Sequence, residues 1–204
     1  MAHPLPAAGA AWWSTSLLAR TAEPPADLDA ERLAAGLRRL FPRDDESDQQ
    51  AAAAVCAESR VSVLAGGPGT GKTTTVARVL ALLREQHPEW RVALAAPTGK
   101  AAARLEEAVR SATATLPEPD RSAAVDLPAT TLHRLLGWRP GARSRFRHHR
   151  DNRLPVEVVV VDETSMVSLT LMARLLEALR PSTRLVLVGD PDQAGVGRGR
   201  RGAR

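Results

Sequence analysis

Eight consecutive residues, Gly66-Gly67-Pro68-Gly69-Thr70-Gly71-Lys72-Thr73, carry the clearest chemistry in this sequence. They match G-x-x-x-x-G-K-[ST] in full, with an apolar run before them and a helical pattern after them. Glycines let the backbone curl so that successive N–H groups face a phosphate, beside a helix N-terminus that favours anions. In such a loop Lys72 reaches the β- and γ-phosphates of a nucleotide and the Thr73 hydroxyl holds Mg²⁺. Thr74 continues the set of expected nucleotide contacts into the first turn of the helix.

A second signal lies far downstream, in Val158-Val159-Val160-Val161-Asp162-Glu163. Two adjacent carboxylates at the C-terminal end of a buried strand stand where open α/β sheets bind ligands. Asp162 is expected to orient Mg²⁺ through its water shell, and Glu163 to polarise an attacking water. A solvated acidic turn with Asp162 as a cap is the competing reading, and the phosphate loop upstream makes it the weaker one. Together the two signals describe a nucleoside triphosphate hydrolase.

The rest of the chain supplies elements to hold these residues. Val61 to Ala65 and Arg91 to Ala96 read as apolar strands, as do Val156 to Val161 and Arg184 to Val188. Helices are expected over 28–40, 48–58, 72–86, 99–113 and 166–179, with a helical turn at Thr131 to Leu136. Ser47 and Gln50 fit a capping box opening the second helix, after an acidic linker from Asp44 to Asp48. Pro117, Pro119 and Pro128 punctuate a loop. Near-continuous apolar strands alternating with helices predict an α/β fold, a parallel sheet with helices on both faces. Residues 1–46 form an N-terminal region, with Trp12-Trp13 read as an anchor packed on the domain rather than a base-stacking pair. Residues 47–193 form the main domain, and the Gly/Arg tail 194–204 reads as disordered.

Composition narrows the function class. The chain of 204 residues has a hydrophobic fraction of 44%, a charged fraction of 25% and a net charge of +5. Those values suit a soluble domain with anionic partners. No apolar run is long enough to span a bilayer, and the N-terminus lacks the pattern of a signal peptide, so a cytoplasmic protein is expected. The single cysteine, Cys56, reads as a buried small residue. Lysine occurs only at Lys72 and Lys100, each in a Gly-Lys step after an apolar run.

With further stretches added, the sequence resembles the RecD family of superfamily 1 DNA helicases, the alpha subunits of the RecBCD exonuclease (exodeoxyribonuclease V). Gly66 to Thr73, Asp162-Glu163-Thr164-Ser165 and Gly189-Asp190-Pro191-Asp192-Gln193 look like helicase motifs I, II and III. Ala96 to Ala102 and Thr131 to Gly137 match as well, five motifs in family order. The resemblance implies a RecA-like P-loop NTPase domain using ATP and Mg²⁺. It also implies 5′-to-3′ movement on single-stranded DNA, a role in double-strand break repair and recombination, and RecB-like and RecC-like partner subunits.

Residue by residue, Gln49 resembles the glutamine that reads adenine, and Gln193 the motif III glutamine that senses the γ-phosphate. Thr98, Lys100 and Arg104 fall in or beside motif Ia, which faces the DNA strand in the family. For Lys100 and Arg104 a solvated helix face is the competing reading. His133 reads either as a packed core histidine or as a DNA contact. The stretch 143–153, with Arg143, Arg145, Arg147, Arg150, Arg153 and Phe146, reads equally as a DNA grip or a solvated loop. Metal binding by His148-His149 lacks further ligands at suitable spacing.

The family's second motor domain, with its arginine finger and motifs IV to VI, has no counterpart after Gln193. Most of the family's N-terminal domain is likewise not seen. The chain is therefore expected to be the first motor domain alone, with feeble turnover and no unwinding. One inserted G after the Gln193 codon would turn CTG GCG TCG GTC GAG GC, a spelling of the family's Leu-Ala-Ser-Val-Glu-Ala continuation, into codons for Ala194 to Gly199. The tail is therefore expected to be a reading-frame product.

Overall fold

The computed structural model describes residues 20, 25, 27–118, 120–123, 127–139, 141 and 146–190. The expectations for Trp12-Trp13, Arg143, Arg145, Gln193 and the tail fall outside these residues.

In chain order the elements are α1 (Ala30–Leu40), α2 (Ser47–Glu58), β1 (Val61–Ala65), α3 (Lys72–Gln86), β2 (Val92–Ala96), α4 (Gly99–Ala114), α5 (Asp120–Ala123), β3 (Ala129–Thr131), α6 (Leu132–Leu135), β4 (Val158–Val161), α7 (Leu169–Ala178) and β5 (Arg184–Gly189). The five strands form one sheet in the order β1-β5-β4-β2-β3, and every neighbouring pair is parallel. The expected α/β class is what the chain adopts.

Alternation along the strands builds two cores. Val158 and Val160 join Leu64, Leu94, Val186 and Val188 under α1 to α4. Val159 and Val161 point the other way, to Ala93, Ala95 and Leu185 under α6 and α7. Every residue of β4 is therefore buried, which is why its sequence has no polar interruption. The edge strand β1 is only partly covered on its second face, where Val61 packs on the second core but Val63 is 66% exposed. Cys56 is free and buried in α2, as its small apolar setting suggests, and burial pushes its thiol above the ordinary value.

Three local expectations are corrected. The loop after α4 holds a fifth strand, β3, whose three residues are too few to show a period but pair with Leu94 to Ala96. The helix expected over 166–179 is two pieces: a 3₁₀ turn at Thr164–Met166, then α7, started by Ser168, whose side chain accepts from the Leu171 N–H. The capping box of Ser47 and Gln50 does not form. Ser47 already lies in α2, and the acidic run before it is a 3₁₀ turn, Asp44–Glu46.

Candidate functional site

Because all strands run parallel, their C-terminal ends meet at one edge of the sheet. At that edge β1 leads to the Gly66–Gly71 loop, β5 to Asp190, β4 to Asp162-Glu163, β2 to Pro97-Thr98, and β3 to His133. Crevices of this kind are where ligands bind in open α/β sheets.

The loop after β1 is held at both ends. The Gly66 N–H donates to the Gly189 carbonyl at 3.3 Å, tying its start to β5. Gly71, at φ +78°, turns the chain into α3, a left-handed conformation that a side chain would strain. A Cβ on Gly71 would also stand 2.8 Å from Nε2 of Gln49. The Thr70 hydroxyl donates to the Gly67 carbonyl at 3.0 Å. Lys72, half-buried, folds its ammonium into the loop and donates to the carbonyls of Gly66 at 2.5 Å and Gly67 at 2.7 Å. Space is open where a Cβ would stand at Gly67 and Gly69. Pro68 sits exposed at its tip, and Thr73 and Thr74 occupy the first turn of α3, where N–H groups lack helical partners.

Gln49 reaches this loop from α2, its Nε2 donating to the Thr70 carbonyl at 3.4 Å. An ion pair that the sequence does not announce holds α2 there. Arg78, on α3, donates to Glu46 at 2.9 Å, and its guanidinium lies 4.5 Å from the centre of the Phe41 ring. Glu46 also accepts from the Arg43 N–H at 3.4 Å, so it caps the 3₁₀ turn just ahead of α2. This recruitment of Glu46 is the physical reason the helix opens one residue before the expected cap-to-helix boundary. Gln50 faces away from the loop, into a cleft lined by Arg38, Phe41 and Pro42.

Arg78→Ala is expected to lower stability by about 2 kcal/mol. The pair is 14% and 13% exposed, so Glu46 would be left largely buried without its ionic partner, holding only the Arg43 N–H. The loss stays below that of a fully satisfied pair because Nε and Nη1 of Arg78 already lack partners. Urea unfolding of the two proteins measures this, and an unchanged midpoint would show the pair to be energetically idle.

The carboxylates stand across β5 from the loop. Strands lie about 4.8 Å apart, so β4 is about 10 Å from β1, room enough for a phosphate chain between them. Asp162 is pinned by its N–H, which donates to the Ala95 carbonyl at 2.9 Å. Its own carboxylate accepts from the Glu163 N–H at 2.9 Å. Among the described residues Glu163 is the one non-glycine with positive φ, at +52°. Such a conformation costs on the order of 1 kcal/mol and needs support from its surroundings. The support is visible: the Met166 N–H donates to the Glu163 carbonyl at 3.0 Å, and the Thr164 hydroxyl donates to the Val188 carbonyl at 3.0 Å. Gly189 leaves room for that hydroxyl, which would stand 2.5 Å from a Cβ there. Sequence reasoning named neither Thr164 nor Gly189 as parts of this brace, although both lie inside motif stretches.

The candidate DNA contacts lie at the other end of the same edge. Thr98 caps α4, its hydroxyl accepting from the Ala101 N–H at 3.2 Å. Lys100 and Arg104 are exposed along α4. His133 is exposed too, which rules out the core reading; its ring meets Trp138 edge-on at 6.5 Å and Phe146 at 6.0 Å. Within the stretch 143–153, Arg153 turns inward and donates to the Leu179 carbonyl, whereas Arg147 and Arg150 are exposed. No group of three or more potential metal ligands occurs among the described residues, so His148-His149 gains no support.

Comparison with known proteins places this geometry. Residues 49–197 match the family model described as AAA domain. The chain is 66% identical over 160 residues to the RecBCD enzyme subunit RecD of Mycolicibacterium smegmatis, covering 76% of this chain and 29% of that protein. It is 43% identical over 165 residues to RecBCD enzyme subunit RecD of Haemophilus influenzae, covering 77% of this chain and 26% of that protein. To the ATP-dependent RecD2 DNA helicase of Deinococcus radiodurans it is 42% identical over 134 residues, 66% of this chain and 16% of that protein. The chain thus spans less than a third of the length of each of these relatives.

Proposed function

We propose, because the chain belongs to the AAA domain family and is RecD-like over 76% of its length, that it is the ATP-binding motor domain of a RecD-like DNA helicase subunit. The observation that carries this reading is the pairing of two features across β5. On one side the loop encloses the Lys72 ammonium; on the other, Asp162 and Glu163 leave the end of β4.

In this reading residues 47–193 are the functional unit. Gly66 to Gly71 present backbone N–H groups to the phosphates of ATP, joined by those of Lys72, Thr73 and Thr74 at the start of α3. The Lys72 ammonium exchanges two loop carbonyls for phosphate oxygens, so it is already positioned for the β- and γ-phosphates. The Thr73 hydroxyl and Asp162 would hold Mg²⁺, which when bound supplies positive charge against the phosphate oxygens. The donor set is hard oxygen throughout, as that ion requires. Glu163 is the base toward the attacking water, held by its braced turn. Gln193 would couple the γ-phosphate to movement on single-stranded DNA, with Thr98, Lys100, Arg104 and His133 along the strand's path. Movement from 5′ to 3′, assembly with RecB-like and RecC-like subunits, and work in double-strand break repair belong to the longer protein in this proposal. No helix among the described residues is long and apolar enough to cross a membrane, in keeping with a place in the cytoplasm. A second reading is a nucleotide- and DNA-binding unit without unwinding activity of its own. An unwinding assay on this chain separates the two.

Gln49 provides the test of the base. Its side chain sits on the loop and is expected to read the adenine edge. Gln49→Ala should shrink the preference for ATP over GTP about tenfold, the worth of one or two hydrogen bonds. Competition titrations against a fluorescent ATP analogue measure the preference. An unchanged ATP-to-GTP ratio would remove Gln49 from the site.

A further inference from the structure

Trp138 is the feature that the nucleotide site does not use. It follows α6 and is 52% exposed, although a tryptophan ordinarily buries most of its ring. Its placement is not loose. The Trp138 N–H donates to the His133 carbonyl at 2.9 Å, and Trp138 pairs with Phe146 in an antiparallel bridge. The Arg147 N–H donates to the Gly137 carbonyl and the His148 N–H to the Leu136 carbonyl, both at 3.0 Å. Gly137, at φ +66°, brings the two arms so close that a Cβ there would stand 2.7 Å from Cβ of Arg147. Leu132 and Leu136, fully buried, root this frame in the core.

The charge of the segment that carries the ring is one-sided. Between His133 and Arg153 the sequence has seven arginines and a single acidic residue, Asp151. Elsewhere many described arginines are tied to carboxylates: Arg39, Arg78, Arg91, Arg174, Arg180 and Arg184 all are. Arg134, Arg139, Arg147 and Arg150 are exposed, and none of them forms an ion pair with a carboxylate of the described residues. A rigid, half-exposed indole on a segment with exposed guanidinium groups suits a ligand with flat apolar faces joined by anions. A protein partner would meet the indole equally well, but it would have to be strongly acidic as well. The frame also lies at the sheet edge where β2 and β3 end side by side, Ala96 beside Thr131, next to the start of α4.

We propose that Trp138 is a base-stacking platform for single-stranded nucleic acid, with His133 and Phe146 supporting the ring and Arg139 and Arg147 meeting the flanking phosphates. The inference rests on the reading of this chain as a motor domain for single-stranded DNA, and it adds a base contact to the path that reading draws past Thr98, Lys100, Arg104 and His133. A stacked base contributes affinity independently of salt, whereas each phosphate contact contributes through released counterions. The two kinds of contact can therefore be told apart.

The experiment uses the full chain and a fluorescein-labelled oligothymidylate, with binding followed by anisotropy over a series of salt concentrations. Tryptophan quenching by the unlabelled oligonucleotide is recorded in parallel. Trp138→Ala is expected to weaken binding about tenfold at every salt concentration, with an unchanged salt slope. Arg147→Ala is expected to flatten the slope by about 0.7. Trp138→Phe should keep affinity within about threefold and lose the quench, which decides the matter even if the alanine variant fails to fold. Equal affinity of wild type and Trp138→Ala, or a full quench in Trp138→Phe, would overturn the platform and leave the DNA reading standing; the first result would assign the ring to a protein interface. Absence of any binding by the wild-type chain would overturn both.

Discussion

Lys72→Ala is expected to reduce the affinity of the chain for Mg·ATP by at least about 100-fold. The ammonium now donates to two carbonyls of its own loop, at 2.5 and 2.7 Å. Phosphate oxygens replace neutral acceptors with charged ones, and a hydrogen bond to a charged group is worth about 1.5–3 kcal/mol. Two such bonds supply the expected factor. Lys72→Arg should recover little of it, because a planar fork does not fit where a point charge is enclosed by backbone. Neither variant should unfold the protein, since the carbonyls released lie at a solvent-accessible loop. Calorimetric titration with ATP in excess Mg²⁺ measures the effect, and equal affinities for the wild type and the alanine variant would sink the nucleotide site.

The second large effect concerns the chemical step. Glu163→Gln should slow ATP hydrolysis about 10²–10⁴-fold, the usual contribution of a positioned general base, while ATP affinity stays within a few-fold. The amide keeps the size of the side chain and the braced turn, so the change isolates proton acceptance. Asp162→Asn should behave differently: it removes the carboxylate proposed to hold Mg²⁺, so the Mg²⁺ dependence of ATP binding is expected to weaken along with turnover. Single-turnover hydrolysis of labelled ATP, with protein in excess and single-stranded DNA present, reads even slow rates. A hydrolysis rate unaffected by Glu163→Gln would leave the residue as nothing more than a strained turn.

These two sites differ in how they show themselves in a chain of letters. The loop is a local object. Gly66 to Thr73 can curl because its glycines tolerate the required backbone angles, and Lys72 follows at once, so eight residues specify both shape and chemistry. The uninterrupted valines of β4 are equally local, because a strand buried on both faces has no polar position to reveal. The amide of Gln49, by contrast, finds the loop only because α2 packs on α3, and the pair that secures the packing joins Glu46 to Arg78 across 32 positions. Glu46 sits in an acidic run that reads as a linker, and nothing in that run says which basic residue will claim it.

The sequence by itself therefore determined the α/β class, the phosphate loop and the carboxylate pair, since each depends on contacts within a few residues or on burial of a whole strand. Tertiary structure alone decided the rest. The insertion of β5 between β1 and β4 sets the span between the glycine-rich loop and Asp162, and strand order is a matter of long-range pairing that no local pattern encodes. The short strand β3 exists because β2 offers an unpaired edge, not because three residues prefer it. One of the two readings of His133 puts it in the core, yet it lies exposed, because Leu132 and Leu136 fill the core position and turn the ring outward to Trp138. In each case the deciding energy comes from a partner distant in the chain, so it enters only once the sheet has closed.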